Sequence, residues 1–170
     1  MGRFKFGVCE FSFPCWGPLA LQMAHEAGFT GMQLADAGGS TNSYPLNNKR
    51  VQESYLEASV KYGIELQSIH LYTLVRQNFI RYSQSSPEGQ ECMESIRKGI
   101  IAAAEMHIPT VMIEGMRMYG AAQHKHVFDM YKYAVEVAQD YGVFVHGDRH
   151  PSGGPFQVPG SVRRQTEVVL

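Results

Sequence analysis

Four side chains able to move protons or hold cations stand where short apolar runs end. Asp36 closes MQLAD, His70 closes IELQSIH, Glu114 follows TVMI and Asp148 follows VFVHG. Carboxylates and imidazoles suit such places, because both transfer protons to and from reacting carbons and both bind divalent cations. Each also has a purely local reading: Asp starts turns, a strand-end Glu beside glycine can be a solvated loop charge, and His hydrogen-bonds loops. Trp16, near Phe11 and Phe13, offers either an apolar wall for a ligand or ordinary packing. His146 and His150 flank Asp148. The stretch 71–86 is long for a connection, and its Arg76, Asn78, Arg81 and Tyr82 are suited to phosphate or hydroxyl groups.

The elements that must position these residues repeat along the chain. An amphipathic helix runs through a turn into an apolar strand in HEAGFTGMQLAD, VKYGIELQSIHL, AEMHIPTVMIEG and AQDYGVFVHGD. Three of the four turns carry glycine, at Gly28, Gly63 and Gly142, where a left-handed residue commonly ends a helix; the third junction has His107 and Pro109 instead. The spacing is that of a βα unit, whose crossovers make parallel sheets. Helical stripes are expected at Leu19, Ala20, Met23, Ala24 and Ala27; at Val51, Tyr55, Ala58 and Tyr62 behind an Asn48 cap; at Met93, Ile96, Ile100 and Ala103 behind Ser86 and Pro87; and at Val127, Tyr131, Ala134, Val135 and Ala138. Strands are expected at Phe4 to Cys9, Met32 to Ala35, Ile64 to His70, Thr110 to Ile113 and Val143 to His146. Five parallel strands with four helices fit an open doubly wound sheet or part of a closed barrel, and periodicity alone does not choose.

Composition narrows the class. The 170 residues fit one domain, and 44% apolar with 18% charged residues is an ordinary globular balance. With 15 basic against 16 acidic side chains the formal charge is -1, which gives no general attraction to nucleic acid. No signal peptide or membrane span is evident, so the expected location is the cytoplasm and no membrane partner is expected. Cys9, Cys15 and Cys92 are odd in number and widely spaced, as expected of reduced thiols. Residues 151–170, with three prolines and three glycines, show neither helical nor strand periodicity and are expected to form an irregular tail.

Taken together, KFGVCEFSF, EAGFTGMQLAD, YGIELQSIHL, IPTVMIEGM and YGVFVHGDRH resemble successive strands of the xylose isomerase-like family of sugar phosphate isomerases and epimerases. The resemblance runs over roughly Phe4 to His150. It implies an α/β fold: a parallel (β/α) barrel of TIM type, incomplete after the fifth strand, occupying 1–150 before the tail. It also implies metal-assisted proton transfer next to a carbonyl of a small sugar or sugar phosphate. Glu114 and Asp148 would then be catalytic, Trp16, Asp36 and His70 would bind substrate, and Asp148 would ligate a divalent ion such as Mn, Mg, Co or Zn. Counting on from Gly142, Asp148 stands where the family's fifth strand usually ends in glutamate, and Arg149 where it has asparagine. Aspartate reaches one methylene less far, and the ligands expected from later strands are absent from this sequence. The alternatives are a noncatalytic barrel fragment that self-associates and an apurinic endonuclease-like protein.

Overall fold

The computed structural model describes residues 5–35, 45–76, 81–113 and 121–147. Along the chain these form β1 (Gly7–Cys9), a 3-10 turn (Glu10–Ser12), α1 (Pro18–Glu26), β2 (Gly31–Ala35), α2 (Lys49–Tyr62) and β3 (Glu65–His70). The single-turn α3 (Thr73–Arg76), α4 (Pro87–Glu105), β4 (Thr110–Ile113), α5 (Ala121–Tyr141) and β5 (Phe144–Gly147) follow. Two helix starts follow from their capping residues. The Asn48 side chain accepts a hydrogen bond from the Arg50 N–H at the head of α2, and the Ser86 hydroxyl accepts one from the Gly89 N–H at the head of α4.

One turn is used four times to pass from helix to strand. The N–H of Phe29, Ile64, Ile108 and Val143 donates to the carbonyl five residues earlier, on Ala24, Ser59, Ala103 and Ala138, at 2.8 to 3.1 Å. This is the Schellman closure, which satisfies a helix's last carbonyls and requires a left-handed residue just before the bonded N–H. Gly28, Gly63 and Gly142 supply it with φ of 85°, 66° and 68°; at the third junction His107 adopts φ 55° in spite of its Cβ. The apolar residue after the turn then seats in the core, with Ile64 and Ile108 each 1% exposed.

The five strands form one sheet in the order β1-β2-β3-β4-β5, every neighbouring pair parallel. A doubly wound sheet reverses its strand order at a switch point, whereas a β/α barrel adds each strand beside the last, so the topology is that of the barrel. The fold class is therefore an α/β parallel barrel of TIM type, represented here by five strands and four crossover helices, with α3 added inside the connection from β3 to α4. Helices bury one face of the sheet: Met32, Leu34, Leu66, Ile69, Val111 and Ile113 pack with α1, α2, α4 and α5 in one core. On the other face Gln33, Ser68 and Met112 are half-buried and Phe144 and His146 exposed, with no covering layer among the described residues. A bulge opposite Met32 and Gln33 makes Gln67 the extra residue of β3 and brings Ser68 beside Gln33, whose Nε2 donates to the Ser68 hydroxyl at 2.9 Å.

Three stripe assignments are corrected, the first being Ala27, which is exposed just past the end of α1. Leu19 is 53% exposed and Leu21 fully buried, and Val135 is 43% exposed while Met130 is 1%. In both helices a neighbouring apolar residue competes for the inward face, and docking on the sheet selects the rotation. The first strand is also shorter than expected, since Phe6 stands 67% exposed ahead of Gly7. Residues 151–170 lie outside the described residues.

The repeated turn gives a direct test. No atom lies within 4 Å of a Cβ built on Gly63, so Gly63→Ala isolates the backbone cost of φ 66°. Urea unfolding should show a loss of about 1 kcal/mol for this variant; unchanged stability would mean that the left-handed turn is not held in solution.

Candidate functional site

Parallel strands in sequential order bring all their carboxyl ends to one edge, which is where β/α barrels place their chemistry. Register fixes one row there. Ala35 pairs with His70, His70 with Met112, and Met112 with His146, so both histidines lie on the face opposite the helices, two strands apart. His70 is 8% exposed, whereas His146 on the edge strand is exposed.

Above this row the loops after β1 and β3 build an aromatic wall. Phe11, 38% exposed, stands edge-on to three rings: Trp16 at 5.6 Å, His70 at 5.5 Å and Tyr72 at 5.1 Å between centroids. Tyr72 and His70 meet at 5.9 Å. Edge-to-face packing of this kind holds rings in fixed orientations while leaving an apolar surface with polar tips at the indole N–H, the imidazole and the phenol. Trp16 and His70, both expected to touch substrate, are thus brought together through Phe11.

Beneath the wall lies a carboxylate that sequence reading missed. Glu10, directly after β1, is 1% exposed. Its Oε1 accepts from the Tyr55 hydroxyl at 2.6 Å and the Gly17 N–H at 2.8 Å, and its Oε2 accepts from the Ala35 N–H at 2.9 Å. One side chain therefore joins the ends of β1 and β2, the start of α1 and the middle of α2. Burial pushes its carboxyl above the usual glutamate range, against the downward pull of those three donors. The sequence signal was a lone acid in the aromatic stretch CEFSFPCW. A second helix tyrosine acts similarly: the Tyr131 hydroxyl of α5 donates to the Ile113 carbonyl at 2.9 Å, bracing the end of β4.

Asp36, Glu114, Asp148, Arg149 and His150 lie outside the described residues, as do Asn78 and the side chain of Arg76. Of the long 71–86 connection, Arg81 is exposed and Tyr82 half-buried, and the Gln84 amide donates to the Asp129 carbonyl of α5 at 2.8 Å. Among the described residues no three His, Cys, Asp or Glu side chains gather to hold a metal ion, and no step is derived through one. None of those helices is long and apolar enough to cross a membrane. Burial in α4 pushes the Cys92 thiol up to about 11, too high for a thiolate nucleophile at neutral pH.

The buried carboxyl has a measurable signature. Because Glu10 holds its proton more tightly in the folded chain than in the unfolded one, its contribution to stability is complete below the ordinary glutamate range. That contribution is lost as pH rises through the raised value. Glutamine does not titrate, so urea unfolding of wild type and Glu10→Gln from about pH 4 upward should show the wild type's relative stability falling. A difference that grows with pH would mean that the three donors outweigh burial.

No protein-family model matches the sequence, and no curated protein matches it. Solved structures do. A sugar phosphate isomerase/epimerase from Parabacteroides distasonis superposes with a TM-score of 0.62 at 17% identity, over 86% of this chain and 52% of that one. A D-allulose 3-epimerase from Methylomonas sp., solved in complex with D-allulose, gives 0.62 at 11%, over 85% and 51%. A putative xylose isomerase from Rhodospirillum rubrum gives 0.61 at 16%, over 82% and 52%. The chain spans about half the length of these structures. Over that half it shares the β/α barrel fold of these solved structures.

Proposed function

We propose that the chain is part of a sugar or sugar-phosphate isomerase or epimerase, working by proton transfer next to a carbonyl. The observation that carries this reading is the wall of Phe11, Trp16, His70 and Tyr72 at the carboxyl edge of a barrel-ordered parallel sheet. A sugar presents apolar C–H faces and a rim of hydroxyls, and an aromatic surface with polar tips answers both. In this reading Trp16 packs on the ring, His70 hydrogen-bonds a hydroxyl or the carbonyl oxygen, and Asp36 holds a further hydroxyl. Glu114 and Asp148 are the proposed acid–base pair. One takes a proton from the carbon beside the carbonyl. Return of a proton to the other face of that carbon completes epimerisation, while delivery to the former carbonyl carbon, with the hydroxyl proton passing to the former carbonyl oxygen, completes isomerisation.

The divalent metal implied by the sequence resemblance is proposed to bind at Asp148. Location in the cytoplasm belongs to the same reading, with no nucleic acid or membrane as partner. A second reading, a noncatalytic half-barrel that self-associates, is favoured by the uncovered sheet face and by β1 and β5, each paired on only one side among the described residues.

Purified protein assayed on ketoses, aldoses and their phosphates, with and without added Mn²⁺, should interconvert at least one pair, and Glu114→Gln and Asp148→Ala should each abolish turnover. No turnover on any sugar, with an assembly larger than the monomer by sedimentation, would favour the second reading. By calorimetry Trp16→Ala should weaken sugar binding roughly tenfold, the worth of one aromatic contact; unchanged affinity would remove Trp16 from the site.

A further inference from the structure

We propose that Glu10 is a positioning residue of the barrel mouth, whose carboxylate fixes the β1–α1 loop and so holds Trp16 against Phe11, and Phe11 against His70 and Tyr72. The inference rests on the aromatic site described above only for what the wall binds; the clamp itself is argued from contacts.

The loop needs such a clamp. It leaves β1 at Cys9, makes the 3-10 turn Glu10–Ser12 and enters α1 through Gly17, whose φ of 76° and ψ of -155° lie in a region open essentially to glycine alone. A backbone in that conformation persists only where its surroundings over-determine it. Here the Gly17 N–H is shared between Glu10 Oε1 at 2.8 Å and the Tyr55 hydroxyl oxygen at 3.1 Å, and Gly17 is itself buried. Trp16 is the residue immediately before this pinned amide, and Phe11 is the residue immediately after Glu10. The two aromatic residues are therefore bracketed by the two ends of one hydrogen bond. The third donor, the Ala35 N–H, references the same carboxylate to the end of β2, so the loop is located relative to the sheet and not merely closed on itself.

A glutamate used only as a packing strut would contribute stability without setting ring positions. Position and stability can be separated because Trp16 is the sole tryptophan of the chain, so its fluorescence reports this loop alone. The experiment is acrylamide quenching and emission maximum of Trp16 in the sugar-free full chain, for wild type, Glu10→Ala, Glu10→Gln and Tyr55→Phe. Thermal unfolding by circular dichroism is recorded for each. Glu10→Ala is expected to raise the quenching constant and shift emission to the red. Glu10→Gln, which keeps an oxygen for Gly17 and Tyr55 but turns an amide N–H₂ toward Ala35, should recover part of the wild-type signal. Tyr55→Phe removes one donor and should give a smaller shift in the same direction.

Should Glu10→Ala fail to fold, the two milder variants decide. Native circular dichroism with wild-type quenching in both Glu10→Gln and Tyr55→Phe overturns the proposal, as does a lowered melting temperature with unchanged quenching in Glu10→Ala. No sugar is present, so failure of the clamp and failure of the sugar-site reading are read from different measurements.

Discussion

Two parallel strands cannot be joined by a tight hairpin; the chain must travel back the full length of the strand before it can pair again. That return is the constraint on which the whole molecule rests. Each return is a helix, each helix must bury its apolar stripe, and the sheet face nearest to it provides the place. With every strand laid beside its predecessor, the helices all cover one face and the strand ends all meet at one edge. The turn from helix to strand is then the same problem solved four times, and the Schellman closure is the same answer each time.

Polar groups buried in this arrangement serve geometry. Gln52, 3% exposed within α2, donates to the Leu46 carbonyl at 2.7 Å and to Glu105 Oε2 at 2.8 Å, while Lys49 meets the other oxygen of Glu105 at 2.6 Å. These contacts tie the beginning of α2 to the end of α4, and together they hold the Glu105 carboxyl below its usual range. At the strand ends Tyr55 and Tyr131 reach from helices to Glu10 and to the Ile113 carbonyl. A buried carbonyl left unsatisfied costs about 1–3 kcal/mol and a carboxylate short of a donor is penalised as well, so each tyrosine discriminates between the correct seating of its helix and a seating one residue away.

Much of the architecture was legible because it rests on local chemistry. The glycine positions, the Asn48 and Ser86 caps and the β4 range all follow from short-range signals in the chain. Strand order was not legible from period, which fits both a barrel and a doubly wound sheet; the family resemblance implied the barrel, and the pairing of distant segments shows its order. Helix rotation failed at Leu19 and Val135 because consecutive apolar residues leave the inward face underdetermined until the sheet is present. Glu10 went unseen because its three donors come from Gly17, Ala35 and Tyr55, residues that only folding assembles. The helical stripes place the Tyr55 and Tyr131 rings against the core, but the destination of a hydroxyl is a tertiary fact.

Strand order that follows chain order also bears on how the molecule comes into being. Each described strand after β1 finds a partner about one βα unit earlier in the sequence, so once β2 has paired with β1 each new strand meets a template already made. Loop-closure entropy is met in small, equal instalments, and contacts stay short in sequence for a parallel sheet. As the polypeptide leaves the ribosome amino end first, each new unit can dock on a template already in place. At every stage the growing sheet keeps two open edges, β1 and the newest strand, and the newest is the place where a chaperone or a neighbouring nascent chain would compete with the next strand.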